Sequence, residues 1–209
     1  MNNSIKLNFI NRSNDANNSD VVIFQKNVAS SFDERPTAWK VIKNPSHGES
    51  HPINYSTNFQ VAAADSYGNY TPKLAAYDGS AFEMVENASG HVLQLSSISA
   101  VMDGEVAIRN NLTRSAIDAN CYKDSKLLAI KTNLAPGQKA VFKFNPKLYI
   151  GVASNIEEGE ILNSAIISEI NTEISLLRVI SADIVMTGGG SQPFCFSLEN
   201  AIYEPEKSE

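Results

Sequence analysis

The stretch Trp39–Ser66, WKVIKNPSHGESHPINYSTNFQVAAADS, decides how the chain is read. Apolar and polar residues alternate on both sides of a turn centred on Pro45 and Gly48. Ile53, Tyr55, Phe59 and Val61 fall at even spacing, so each pair shares one face of a pleated strand. A second stretch, Leu128–Asn155, LAIKTNLAPGQKAVFKFNPKLYIGVASN, lies over the first without a gap. Asn44 then falls on Asn133, Gly48 on Gly137 and Ala64 on Ala153. The apolar positions match as well: Val41 with Ile130, Ile53 with Phe142, Tyr55 with Phe144, Phe59 with Leu148 and Val61 with Ile150. Upstream, Ile5–Ile10 followed by NRS parallels Val106–Asn110 followed by NLT. An ungapped match preserves strand register, because slipping by one residue would turn every side chain to the other face. The expectation is an internal duplication with its boundary near Met102–Gly104. Residues 1–102 and 103–203 each form a sandwich half or domain, and 204–209 form an acidic tail.

The same alternation recurs almost everywhere. Strands are expected at Ile5–Ile10, Val21–Lys26, Thr37–Lys43, Ile53–Ser56, Phe59–Ala64, Ala81–Glu86 and Val92–Ser96, then at Val106–Asn110, Ile117–Lys123, Leu127–Thr132, Ala140–Phe144, Leu148–Val152, Ala182–Thr187 and Phe194–Asn200. Turn clusters such as NRSNDANNSD, SYGNYTP and MTGGGSQP separate them. This pattern specifies an all-β fold, an antiparallel β-sandwich. One segment, Glu160–Leu177, fits two readings. Leu162, Ile166, Ile170, Ile174 and Leu177 make a helical stripe, whereas its β-branched alternation favours a strand, which is the expectation taken here.

The chain has 209 residues, a formal charge of −6 and only 17 Lys and Arg, which are scattered. Nucleic acid is therefore excluded as an expected partner, since neutralising phosphates needs clustered cations. The start, MNNSIKLNFI, lacks the charged and apolar regions of a secretory signal. The expected location is the cytoplasm, or outside the cell by a route that uses no classical signal. Cys121 and Cys195 sit in alternating apolar stretches with no CxxC spacing and are read as buried free thiols.

Candidate chemistry is sparse. His47 and His51 flank Glu49 in NPSHGESH, but Pro45 and Gly48 forbid the helix on which such a spacing converges on a metal. The matching turn NLAPGQKA carries no ligand, so no metal or cofactor is expected. No Gly-x-Ser-x-Gly elbow is present, and the triple glycine Gly188–Gly190 lacks the lysine of a phosphate loop. No catalytic residue is assigned. The segment DSYGNYTPKLAAYDG offers a better site: Tyr67, Tyr70 and Tyr77 lie near Asp65, Asn69 and Asp78. Aromatic faces with neighbouring amide and carboxylate groups suit carbohydrate. Asp65, Tyr67, Asn69, Tyr70 and Asp78 are the candidate ligand-binding residues of a non-enzymatic binding protein, its partner a glycan or another protein. The alternative is a toxin-like or self-assembling protein that places an amphipathic β-hairpin from Ala165–Thr187 in membranes, or packs as a homo-oligomer.

Overall fold

Parallel strands cannot be joined by a tight turn, and that rule shapes the chain's path in space. In a computed structural model, residues 4–29, 35–98, 102, 104–170 and 172–205 are described. They form two compact units that interrupt one another along the sequence. Unit 1 contains Met1–Gln25, Ala38–Thr57 and Pro146–Glu209, and unit 2 contains Lys26–Thr37 and Asn58–Asn145. The boundary expected near Met102–Gly104 joins two strands of unit 2 and does not separate the units.

Unit 1 holds β1 (Ser4–Asn11), β2 (Val21–Phe24), β3 (Lys40–Ile42) and β4 (Ser50–Ser56). Unit 2 holds β5 (Phe59–Ala64), β6 (Leu74–Ala76), β7 (Ala81–Asn87) and β8 (Gly90–Leu95). It continues with β9 (Val106–Asn110), β10 (Ile117–Lys123), β11 (Lys126–Leu134) and β12 (Lys139–Phe142). The chain then returns to unit 1 for β13 (Lys147–Val152), helix α1 (Ser164–Glu169), β14 (Thr172–Ser175), β15 (Val179–Gly189) and β16 (Gln192–Tyr203). The all-β expectation holds. Its strands fall at the expected places, with β6 in addition and β14 as the one strand within Glu160–Leu177.

Each unit has two four-stranded sheets: β16-β15-β1-β4 with β14-β13-β2-β3 in unit 1, and β12-β9-β7-β8 with β11-β10-β5-β6 in unit 2. The antiparallel expectation needs one correction. The central pairs β1–β15 and β7–β9 are parallel, so one sheet in each unit is mixed. The two mixed sheets share their register: Phe9 opposes Ile184 where Ile108 opposes Phe82, and Asn11 opposes Met186 where Asn110 opposes Met84. The other two sheets do the same, with Ile23 opposite Ile150 and Cys121 opposite Val61.

The core of unit 2 lies between its sheets. Val61, Ala119 and Cys121 from one meet Met84, Ile108 and Phe142 from the other, all buried. In unit 1, all four residues of β2 are buried. Val22 and Phe24 belong to a cluster with Ile156, Leu162 and Ile170, while Val21 and Ile23 alternate to the opposite face. Trp39, fully buried, meets Tyr55 edge-on at 6.0 Å.

The segment Glu160–Leu177 divides between the two readings. Asn163 caps α1 by accepting the Ile166 N–H at 3.0 Å, and Ile166 and Ile167 pack on the Val22–Phe24 cluster. Only Thr172–Ser175 extends as a strand, on the edge of β13. The residues Ala165–Thr187 therefore belong to a helix, to β14 and to β15, and these strands lie in different sheets. No described helix is long and apolar enough to cross a membrane. Cys121 is buried as expected, but Cys195 is exposed, because along β16 it alternates to the opposite face from the partly buried Phe194 and Phe196; both are free.

The turns Asn44–Glu49 and Asn133–Gln138 are alike in detail. Asn44 and Asn133 have φ of 44° and 55°, and Gly48 and Gly137 both have φ of 81°. This left-handed conformation suits Asn and especially Gly. Each glycine N–H reaches the carbonyl of a buried asparagine, Gly48 to Asn11 at 2.6 Å and Gly137 to Asn110 at 2.7 Å. The Asn11 amide donates to the Pro45 carbonyl at 2.7 Å and accepts from Ser13 N–H at 2.8 Å. The Asn110 amide donates to the Leu134 carbonyl at 2.8 Å and accepts from Leu112 N–H at 3.1 Å. His47 Nδ1 donates to the Ser13 carbonyl at 2.8 Å. His51 Nε2 is buried and 3.4 Å from Glu49, but the pair is not aligned as a hydrogen bond.

Two predictions follow from burial. Replacing either asparagine strands backbone groups as well as removing side-chain bonds, so Asn11→Ala and Asn110→Ala each cost about 2–3 kcal/mol in urea denaturation. The second concerns Lys123, buried with its ammonium 4.9 Å from the Phe59 ring centroid. Burial lowers its pKa to about 7, against a partial pull upward from Cys121 and Asp124. The unfolded chain keeps that proton up to about pH 10.4, so it binds more protons than the folded chain above pH 7, and stability rises with pH. Burial also pushes the Cys121 thiol up to about 12, which takes the opposite sign once the unfolded thiol ionises. Stability therefore climbs between pH 7 and about 8.5 and levels off above. Lys123→Met removes the climb and leaves a decline.

Candidate functional site

The candidate site starts from one carboxylate. β5 ends at Ala64, and the chain must turn before β6 at Leu74. Asp65 makes that turn by accepting the backbone N–H groups of Tyr67 and Asn69 on Oδ1, both at 2.9 Å. Its Oδ2 accepts the Asn69 side-chain amide, also at 2.9 Å. Asp and Asn favour such turns because their short side chains imitate a backbone turn. Gly68, at φ +83°, takes the left-handed position. Thr71 closes the loop: its N–H donates to the Ala63 carbonyl at 2.9 Å and its hydroxyl accepts Ala63 N–H at 3.0 Å. The Asn69 amide and the backbone donors hold the Asp65 carboxyl below the usual carboxylate range, and His91 adds to this by charge.

This bonded loop presents Tyr70 along a groove of about 430 Å³. Asp65, Asn69, Thr71 and Pro72 line one side, and Met84 and the strand β8 residues His91, Val92 and Leu93 the other. Tyr70 is 63% exposed. Asn69 spends its amide N–H on Asp65, which leaves its carbonyl oxygen available among the described contacts. The groove thus has an aromatic face, an amide and an imidazole over an apolar floor. A second hollow of about 360 Å³ is lined by Glu83, Arg109 and Lys139 and has no exposed aromatic face.

Of the sequence-predicted residues, Asp65, Asn69 and Tyr70 come together in the groove. Tyr67, 90% exposed, is on the same loop but does not line it. Asp78 and Tyr77 do not line it either. They form the next turn, where Tyr77 N–H reaches the Ser80 hydroxyl at 3.1 Å. His91 was missed as a partner because it lies on another strand, beyond the reach of local spacing. Asp65 itself has both oxygens committed to the loop, so its role is to position its neighbours. Among the described residues, no three His, Cys, Asp or Glu are grouped to hold a metal.

No family model, curated protein or solved structure matches the chain.

Asp65→Ala removes the acceptor that orders Tyr67 and Asn69. Hydrogen exchange at these two amides is expected to speed up about tenfold or more, with the core strands unchanged.

Proposed function

We propose that the protein is a non-enzymatic carbohydrate-binding protein whose site is the Tyr70 groove of unit 2. The observation that carries this reading is the exposed Tyr70 ring, set by a hydrogen-bonded loop beside the free oxygen of Asn69 and the imidazole of His91. A pyranose has an apolar C–H face that stacks on an aromatic ring, and hydroxyls at its edge that seek amide and imidazole partners. The groove volume of about 430 Å³ suits a mono- or disaccharide, in the ordinary range of small-ligand sites. The bound loop needs little further ordering, which reduces the entropic cost of association.

The test is a glycan array followed by NMR titration of the strongest hit. Tyr70→Ala is expected to weaken binding tenfold or more, while Tyr67→Ala, outside the groove, leaves it unchanged. Absence of any glycan hit for the wild-type protein, or equal loss from both tyrosine variants, would sink the proposal.

A further inference from the structure

The two units repeat each other strand by strand, yet neither is built from a continuous copy. The order β4-β1-β15-β16 in unit 1 corresponds to β12-β9-β7-β8 in unit 2, and β3-β2-β13-β14 corresponds to β11-β10-β5-β6. Along the chain, β1 to β8 correspond in order to β9 to β16. The first four strands of each series join the last four of the other. Unit 1 is β1–β4 with β13–β16, and unit 2 is β9–β12 with β5–β8.

We infer that the chain is one eight-strand module present twice, with its halves exchanged, so that the partner each half-module fits is the complementary half of a second copy. Four independent features agree. The chain changes units after β4 and after β12 at the same place, at Thr57–Asn58 and at Asn145–Pro146, positions one residue apart when the quoted stretches are superposed; the excursion of Lys26–Thr37 into unit 2 belongs to the first half alone. The turn frame is reproduced bond by bond. Ser46 N–H donates to the Glu49 side chain at 2.8 Å, as Ala135 N–H does to Gln138 at 2.9 Å. Asn44 N–H donates to Asp20 Oδ1 at 3.1 Å, as Asn133 N–H does to Asp118 Oδ1 at 2.8 Å. Across the exchange, Arg12 N–H reaches the Met186 carbonyl at 2.8 Å, and Asn111 N–H reaches that of Met84 at 2.9 Å.

The fourth feature concerns size. At the central parallel pair, Phe9 faces Ile184 in unit 1 and Ile108 faces Phe82 in unit 2. Each exchanged pair has one large ring and one smaller side chain. Were each copy closed on itself, Phe9 would face Phe82 and Ile108 would face Ile184, one pair overfilled and the other leaving space. The exchanged arrangement is the one these side chains fill evenly. Short connections favour such exchange, and only residues 57 and 58 separate β4 from β5.

The test uses the full chain. Residues 44–49 and 133–138 are transplanted into each other's places, beside a control with the same residues scrambled. Equivalent frames predict a Tm within about 5 °C of wild type for the transplant and a loss of at least twice that for the scramble. A transplant as damaging as the scramble overturns the duplication. Pairs of core variants test the exchange itself. Phe9→Ile/Ile184→Phe is expected to recover much of the Tm lost by Phe9→Ile alone, whereas Phe9→Ile/Ile108→Phe recovers none. Recovery by the second pair in place of the first would mean that copies close on themselves.

Discussion

The parallel contact between β1 and β15, matched by that between β9 and β7, is the constraint from which the remaining topology follows. A parallel neighbour cannot come from the next hairpin, so it has to be brought from elsewhere in the chain. For β1 the neighbour is a strand near the C-terminus, and closing so long a loop costs entropy before any contact returns it. That cost is offset by the faces the pairing closes. Once Phe9 lies against Ile184, the sheet extends on both sides by ordinary antiparallel pairs, β4 beyond β1 and β16 beyond β15. The structure is therefore rich in long-range contacts, and folding is expected to be slow for its size.

Polar residues hold the turns that make this possible. A chain reversal at the end of a central strand leaves buried N–H and C=O groups facing one another without a ladder. Asn11 and Asn110 supply what the backbone lacks there: from a single buried side chain Asn11 donates to one carbonyl and Asn110 to two, and each accepts one backbone N–H. A hydrophobic residue of similar size would fill the space but leave those groups unpaired. The rare histidines of NPSHGESH are secondary to this frame: His47 adds one bond to it, and the corresponding turn has no histidine.

Strand positions were legible because period-two alternation records which face is buried, and most expected strands lie within a few residues of those observed. The similarity of the quoted stretches was legible for the same reason. What sequence could not supply was partner choice. Alternation along β1 says that Phe9 points inward but not that its neighbour is β15 and not β7, so the units could not be separated correctly. Glu160–Leu177 failed differently. Its isoleucines satisfy both periods, and the decision fell to the Asn163 cap and to the Val22–Phe24 surface that α1 covers. At the candidate site, Asp65, Asn69 and Tyr70 were visible as neighbours in sequence, whereas His91 reached them only through the fold.

The loops after β5 and β13 are seated in different ways. After β13 the segment 153–170 lies down on the sheet, with Ile170 directly over Gly151. A Cβ at Gly151 would stand 2.9 Å from the Ile170 side chain, closer than packed carbons allow. In register, the residue corresponding to Gly151 is Ala62, which has that Cβ. A loop seated as 153–170 is seated cannot follow it without shifting. The shorter loop after β5 instead closes on itself through Asp65 and holds Tyr70 outward. The loop after β13 thus covers the Val22–Phe24 face of its sheet, with the missing methyl of Gly151 making room for Ile170, whereas the loop after β5 borders its groove against Met84 and β8.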